Sequence, residues 1–431
     1  MLLPQSQSRV VDTQKDTQFS DAWVLLSAIL LAAGVIFDNL FLTTAALFLV
    51  LIAAVAWTWA RFSLAGFCYE RRFSETRAFL GETVKLTLAV HNRKPLPMPW
   101  VTVRDVFPSS LPVAQNRLEV NPTSNLAEFS TFWMIGPYQR ISRSFEVSCS
   151  ERGFHRYGPA QVLTGDAFGF FNRGGECGGE TRLIVYPRLY SVAEMQLPAK
   201  NPFGETRGRG NLFEDPLRTA GIRDWHASDG LRRVHWKASA RFQEMLSRVY
   251  EPSEEQVIQL FLNVATLERH WHGFIPELQE RAISVAGSLA LLATEQRRAV
   301  GLIANGALPG SDQPIRLMPG RSPQQLVHIL ELLAAVTPFA TRPIEQLLSE
   351  ESPRLPWGAT LVVVTAIAHP DLLAELADLA AGGRRITLIS LAEKPPRRWT
   401  GGITVYHLPH LVDDIIAPQP ASLDAPEEIA A

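Results

Sequence analysis

Along the chain the apolar positions change their spacing three times. Residues 22–37 are almost wholly apolar, and residues 40–60 form a second apolar run, with only Asp38 and Asn39 between them. A membrane span needs about 20 apolar residues, so the first run is short by itself and the second suffices. A signal peptide would end in a small-residue cleavage site followed by polar chain. Here a second apolar run follows at once. The pattern predicts a pair of transmembrane helices over residues 21–61, after a polar, disordered stretch at 1–20. Arg61, Arg71, Arg72 and Arg77 follow the second run, and the tight turn carries no Lys or Arg. The positive-inside asymmetry then puts both termini, and the domains after the hairpin, on the cytoplasmic side.

From Phe73 the spacing drops to two. Apolar and polar residues alternate through 83–92, 100–106, 127–134 and 141–149, punctuated by Pro95, Pro97, Pro99 and the pairs Asn121-Pro122 and Gly136-Pro137. Short alternating runs between turn signals, with no helical periodicity, predict a β-sandwich over 73–195. The glycine-rich run 174–179 lacks the Lys-Ser/Thr ending of a phosphate-binding loop and reads as a hairpin tip. Residues 196–220, rich in Gly, Pro and charge, read as an exposed linker.

Beyond residue 256 the two periods interleave. Apolar strands at 257–264, 300–304, 360–365, 386–391 and 403–406 alternate with helix-periodic stretches at 277–298, 322–336 and 370–381. Ser322 and Pro323 mark one helix start, and Gly382-Gly383 one helix end. Strands alternating with helices predict a parallel sheet covered on both faces, over 256–416. The tail 417–431 reads as flexible.

Between linker and sheet lies GIRDWHASDGLRRVHWKASAR, residues 221–241 of a signature helix-and-strand segment at 221–255. Asp229 precedes an apolar-periodic run and reads as a helix N-cap. Leu231, Val234, His235, Ala238 and Phe242 then share one helical face. Arg233, Lys237 and Arg241 form a basic stripe whose i, i+4 repulsion calls for anionic neighbours, either Asp224, Asp229, Glu251 or Glu254 in this chain or a partner.

This segment resembles the signature of the bacterial domain of unknown function 58 family. The resemblance rests on Arg223, Asp224, Asp229, Arg232, Arg233, His235, Trp236, Lys237, Ser239, Ala240 and Arg241, followed by Tyr250-Glu251-Pro252. Arg152-Gly153-Phe154, Tyr157-Gly158-Pro159 and Asp166-Ala167-Phe168-Gly169 resemble segments that precede the signature in the same family. The resemblance implies a partner, an AAA+ ATPase of the MoxR type, and a protein of the bacterial inner (plasma) membrane.

The α/β region resembles a von Willebrand factor A-like (Rossmann-like) domain. Members that bind metal place Asp-x-Ser-x-Ser at the carboxyl edge of the first strand, where hard Mg²⁺ takes oxygen ligands. Here Asn263, Ala265 and Leu267 stand at those positions, and Thr365-Ala366-Ile367 stands where a further Asp is expected. That edge is expected to bind no metal, and no cofactor is implied.

Catalytic chemistry is thin. No GxSxG, HExxH or GxxxxGK[ST] occurs. A His235, Asp224 and Asp229 cluster would serve a hydrolase or transferase, the alternative to a non-enzymatic scaffold. Cys68, Cys149 and Cys177 are odd in number, far apart and form no CxxC pair, so they suggest neither a disulfide framework nor a zinc site. A net charge of −2 argues against a nucleic-acid binder, and no small-molecule substrate is identified. The reading is a multi-pass membrane-anchored scaffold or adaptor without catalytic residues. Arg223, Asp224, Asp229, Arg232, Arg233, His235, Trp236, Lys237, Ser239, Arg241 and Glu251 are expected to form either a structural network or a docking surface.

Overall fold

Two units divide the chain, residues 1–188 and 189–431. The structure, a computed structural model, describes every residue except 1–10, 15–19, 114–118, 122–125, 199–202, 204–213, 227–228, 253–256, 268–272, 357, 393–394, 396–401 and 410–431.

The first unit starts with a short strand, β1 (Val11–Gln14), inside the stretch expected to be disordered. The rest of that expectation, and the flexible tail at 417–431, fall outside the described residues. The two apolar runs form α1 (Ser20–Ile36) and α2 (Leu40–Ser63). The Asn39 side chain caps α2 by accepting from the Leu42 amide at 3.2 Å. Thr43, Thr44 and Thr58 each return their hydroxyl to a carbonyl one turn back, so the helix leaves no hydroxyl unsatisfied in an apolar medium. α2, at 24 residues, is long and apolar enough to cross a membrane. At 17 residues α1 rises about 25 Å against a hydrocarbon core of about 30 Å, so it is too short to span untilted.

Eleven strands follow the helices among the described residues. They are β2 (Phe67–Phe73), β3 (Arg77–Phe79), β4 (Thr83–Asn92), β5 (Met98–Pro108), β6 (Glu119–Asn121) and β7 (Leu126–Ile135). Then come β8 (Arg140–Ser148), β9 (Gly153–Tyr157), β10 (Ala160–Gly165), β11 (Asn172–Cys177) and β12 (Thr181–Tyr186), with β1 making the twelfth strand of the unit. They build three sheets, β1-β11-β10-β5-β7-β6, β3-β12-β9 and β2-β4-β8. Alternation decides the inward face: in β7 every second residue is buried, among them Phe129 and Trp133. The inward side chains of all three sheets share one core.

A buried ion pair staples these sheets together. Asp105 on β5 receives Arg71 of β2 through two bonds of 2.5 and 2.9 Å, and accepts from the Tyr69 hydroxyl at 2.7 Å. The remaining Arg71 nitrogen donates to Tyr157 O on β9 and Thr181 Oγ1 on β12. Arg71 is therefore not a free charge flanking the helices, as the sequence implied, and Arg72 pairs with Glu70 at 2.9 Å. The glycine-rich run is a strand and not a hairpin tip: Gly174 and Gly175 pair with both β10 and β1. Among the cysteines, burial pushes Cys149 up to about 11 and Cys177 up to about 12, so both are inert thiols.

The second unit begins before the expected boundary at 195. Tyr190, Met195, Leu197 and Phe203 all join its core. A two-stranded antiparallel ribbon comes first, β13 (Glu214–Asp224) and β14 (Leu246–Pro252), with the short helix α3 (Trp236–Phe242) between its strands. Residues 214–220, expected in a linker, are thus part of a strand. The remaining elements are β15 (Val257–Asn263), α4 (Pro276–Glu295), β16 (Ala299–Ala307), β17 (Pro314–Gly320) and α5 (Pro323–Ala335). They continue with α6 (Ile344–Glu351), β18 (Thr360–Thr365), α7 (Pro370–Ala381), β19 (Arg385–Ser390) and β20 (Ile403–His407).

The strands order as β17-β16-β15-β18-β19-β20, which is the doubly wound 3-2-1-4-5-6 arrangement. All neighbours run parallel except the edge strand β17, which pairs antiparallel with β16. Both faces of β15 are buried: Ile258, Leu260 and Leu262 pack with α4 and α5 residues, and Val257 and Phe261 pack with α6 and α7 residues. A sheet covered on both sides has no polar face, which explains the continuous apolar strands.

Candidate functional site

The signature does not fold as one helix. Gly230 takes a positive φ of 66° directly after Asp229, and the chain makes only a 3₁₀ turn over Leu231–Arg233. Val234 is extended and bridges to Ser247 of β14. α3 then starts at Trp236, with His235 as its cap: Nδ1 accepts from the Ala238 amide at 3.1 Å. An accepting Nδ1 places the neutral ring proton on Nε2. The expected N-cap at Asp229 and the expected single apolar face are therefore both corrected. Val234 and Ala238 are buried, whereas Leu231 and Phe242 are 65% and 64% exposed.

Asp229 has a different task. Its Oδ1 accepts from Arg223 at 2.5 Å and its Oδ2 accepts from the His226 amide at 3.1 Å. Its own amide donates back to His226 O at 2.8 Å. The carboxylate is nearly enclosed, while Arg223 remains partly open to solvent. The His226 amide first, and then Arg223, hold the Asp229 carboxyl below the usual carboxylate range. The pair closes the excursion between β13 and β14 at its base, together with Trp225 N donating to Met245 O. Ser239 fastens α3 to the ribbon by accepting from the Leu246 amide at 3.0 Å.

The other signature residues point elsewhere. Asp224, Arg232, Trp236, Lys237 and Arg241 are exposed, and Arg233 is half-buried. Glu251 lies on β14, but its side chain is outside the described residues. Among the described residues no hydrogen bond joins His235 to Asp224 or Asp229. His235 works as a helix cap and Asp229 as a clasp. The exposed neighbours Ile222, Met245 and Val249 escaped the sequence reading. Asp229-Gly230, a turn dipeptide, was the available sign that the helix starts later.

At the carboxyl edge of the large sheet, the two asparagines and Thr365 form a closed amide network. Asn263 donates to Thr365 Oγ1 at 3.0 Å, and its carbonyl accepts from Ala265 N at 3.1 Å and from Asn305 Nδ2 at 2.9 Å. Asn305 in turn accepts from Val264 N and donates to Arg342 O, while Thr365 donates to Ile367 O at 2.6 Å. Asn263, Asn305 and Thr365 are all buried. Ala265 and Leu267 add no oxygen ligand from their side chains, and among the described residues no group of three His, Cys, Asp or Glu could hold a metal.

Residues 221–422 match the family model described as "Protein of unknown function DUF58". The uncharacterized protein YeaD of Bacillus subtilis (strain 168) is 25% identical over 384 residues, covering 86% of this chain and 89% of that protein. Among solved structures, a CARDB domain from Pyrococcus furiosus in complex with di-metal ions matches 28% of this chain and 91% of its own length, at 11% identity and a TM-score of 0.19. A non-cellulosomal cohesin from Archaeoglobus fulgidus matches 27% of this chain and 90% of its own length, at 10% identity and the same TM-score of 0.19. Scores this low bear on neither fold nor function.

Proposed function

Since the chain belongs to the domain of unknown function 58 family, we propose that it is a membrane-anchored scaffold or adaptor for an AAA+ ATPase of the MoxR type. In this reading α1 and α2 form a transmembrane hairpin of a bacterial inner membrane, with both termini and both folded regions in the cytoplasm. The 3-2-1-4-5-6 sheet with its antiparallel edge strand supports a von Willebrand factor A-like domain. The amide network at its carboxyl edge supports a role without metal, since side chains that would have to ligate an ion are engaged with one another.

The observation that carries the reading is the display of the signature. The Asp229 carboxylate and the His235 ring are consumed by the local fold, whereas Trp236, Asp224 and the cations Arg232, Lys237 and Arg241 stand in solvent. A catalytic cluster turns its titratable groups toward one reacting atom, and a recognition element turns apolar and charged groups outward. The test is reconstitution of the full chain in nanodiscs with the purified MoxR-type ATPase of the same genome. A stoichiometric complex on gel filtration is expected. Failure to form one with nucleotide present or absent would end the adaptor reading.

A further inference from the structure

We propose that the outward half of the signature is a docking face for an acidic protein surface, anchored by Trp236. The inference rests on the adaptor reading and adds the chemistry of the partner's contact. The signature splits into two halves with different surroundings. The inward half comprises the Arg223–Asp229 clasp, the His235 cap, buried Val234 and Ala238, and Ser239 bound to Leu246 N. These contacts determine how α3 and the 3₁₀ turn before it are held. The outward half does no such work. Leu231, Trp236 and Phe242 are each about two-thirds exposed, with Met245 beside Leu246 also open. Arg232, Lys237 and Arg241 surround them in sequence and are exposed as well.

Part of this arrangement works against the chain's own stability. Lys237 and Arg241, four apart on α3, repel each other. Large apolar side chains in water gain nothing from folding, and clustered ones mark an interaction site. Tryptophan and arginine are also the residues that dominate binding energy at protein interfaces.

Charge selects the occupant. From Gly221 to Met245 stand five cations, Arg223, Arg232, Arg233, Lys237 and Arg241, against three carboxylates, Asp224, Asp229 and Glu244. Arg223 already neutralises Asp229. The face is therefore cationic and steers an acidic surface. The clasp and the positive φ of Gly230 preorganise it, which lowers the entropy cost of meeting a partner of fixed shape. A fluid lipid surface needs no such preorganisation.

The experiment uses the full chain in phosphatidylcholine nanodiscs and the purified MoxR-type ATPase as probe, with affinity measured from about 50 to 500 mM NaCl. Lys237→Glu with Arg241→Glu is expected to weaken binding at least about tenfold at low salt and to flatten the salt dependence. Trp236→Ala should weaken it comparably at every salt. Arg232→Glu, on the 3₁₀ turn outside α3, repeats the charge test should the double variant unfold. A photo-crosslinking residue at position 242 should capture a segment of the ATPase in which carboxylates outnumber cations. Wild-type binding that none of these variants changes overturns the inference and leaves the adaptor reading intact. No wild-type binding removes both. Co-flotation of the nanodisc-embedded chain with phosphatidylglycerol vesicles, lost in the double variant while ATPase binding persists, also overturns it in favour of anionic lipid.

Discussion

Asp229 shows how much one residue's role depends on its neighbours. Adjacent Gly230 takes a conformation with no place in a helix, so the carboxylate turns back to the His226 amide and Arg223. Its folded pKa is depressed, so the clasp contributes fully above the ordinary Asp range and is lost as pH falls through the folded value. Protection of the His226 amide against hydrogen exchange should therefore persist at neutral pH and decline below the usual Asp range. Asp229→Asn should show weak protection at every pH. Asn263 offers the converse case, a neutral amide whose nitrogen and oxygen are both engaged. In Asn263→Asp the carboxylate would face Thr365 Oγ1, whose proton is already given to Ile367 O. Two acceptors would then meet in a buried site, at a cost of about 1–3 kcal/mol. Thermal denaturation should show a lowered Tm that millimolar Mg²⁺ does not restore. Restoration by Mg²⁺ would show that the edge still forms an ion site.

Element boundaries were legible where one physical signal dominates. Residues 360–365 and 370–381 coincide with β18 and α7 because a Val-rich run and a Pro-to-Gly-Gly frame leave little choice. β17 was missed because Pro314 and Pro319 mask it and its pairing comes wholly from β16. Gly174 and Gly175 lie in β11 for a similar reason: neighbouring strands recruit residues that lack β propensity of their own. The three sheets of the first unit meet at Arg71 and Asp105, which alternation cannot reveal. Arg71→Met should leave Asp105 uncompensated and cost about 3–5 kcal/mol. Arg71→Met combined with Asp105→Leu should recover much of that loss in urea denaturation of the detergent-solubilised chain. A neutral Arg71→Met single variant would contradict the staple.

At the scale of the whole molecule, the proposed membrane anchor implies a direction that can be tested. α2 has the length and composition of a span, and Arg61 lies over the Trp57 ring at its end. Arg71 is engaged inside the fold with Asp105, so Arg61 remains as the cation at the end of α2. If α1 and α2 form the proposed hairpin, a reporter after Ala431 that is active only in the cytoplasm should give full signal. A periplasm-only reporter at the same position should give none, and the reverse pattern would defeat the hairpin. The sequence by itself determined the apolar helices, the alternating strands, the strand-helix rhythm after 256 and the signature residues, because each is written in local periodicity or in residue identity. Tertiary structure alone decided which signature residues turn inward, how the asparagines close the sheet edge, and where Arg71 goes. Those outcomes depend on partners outside the local pattern, from Leu246 seven residues beyond Ser239 to Asp105 for Arg71 and Thr365 for Asn263. Burial, not spacing along the chain, brings those groups together.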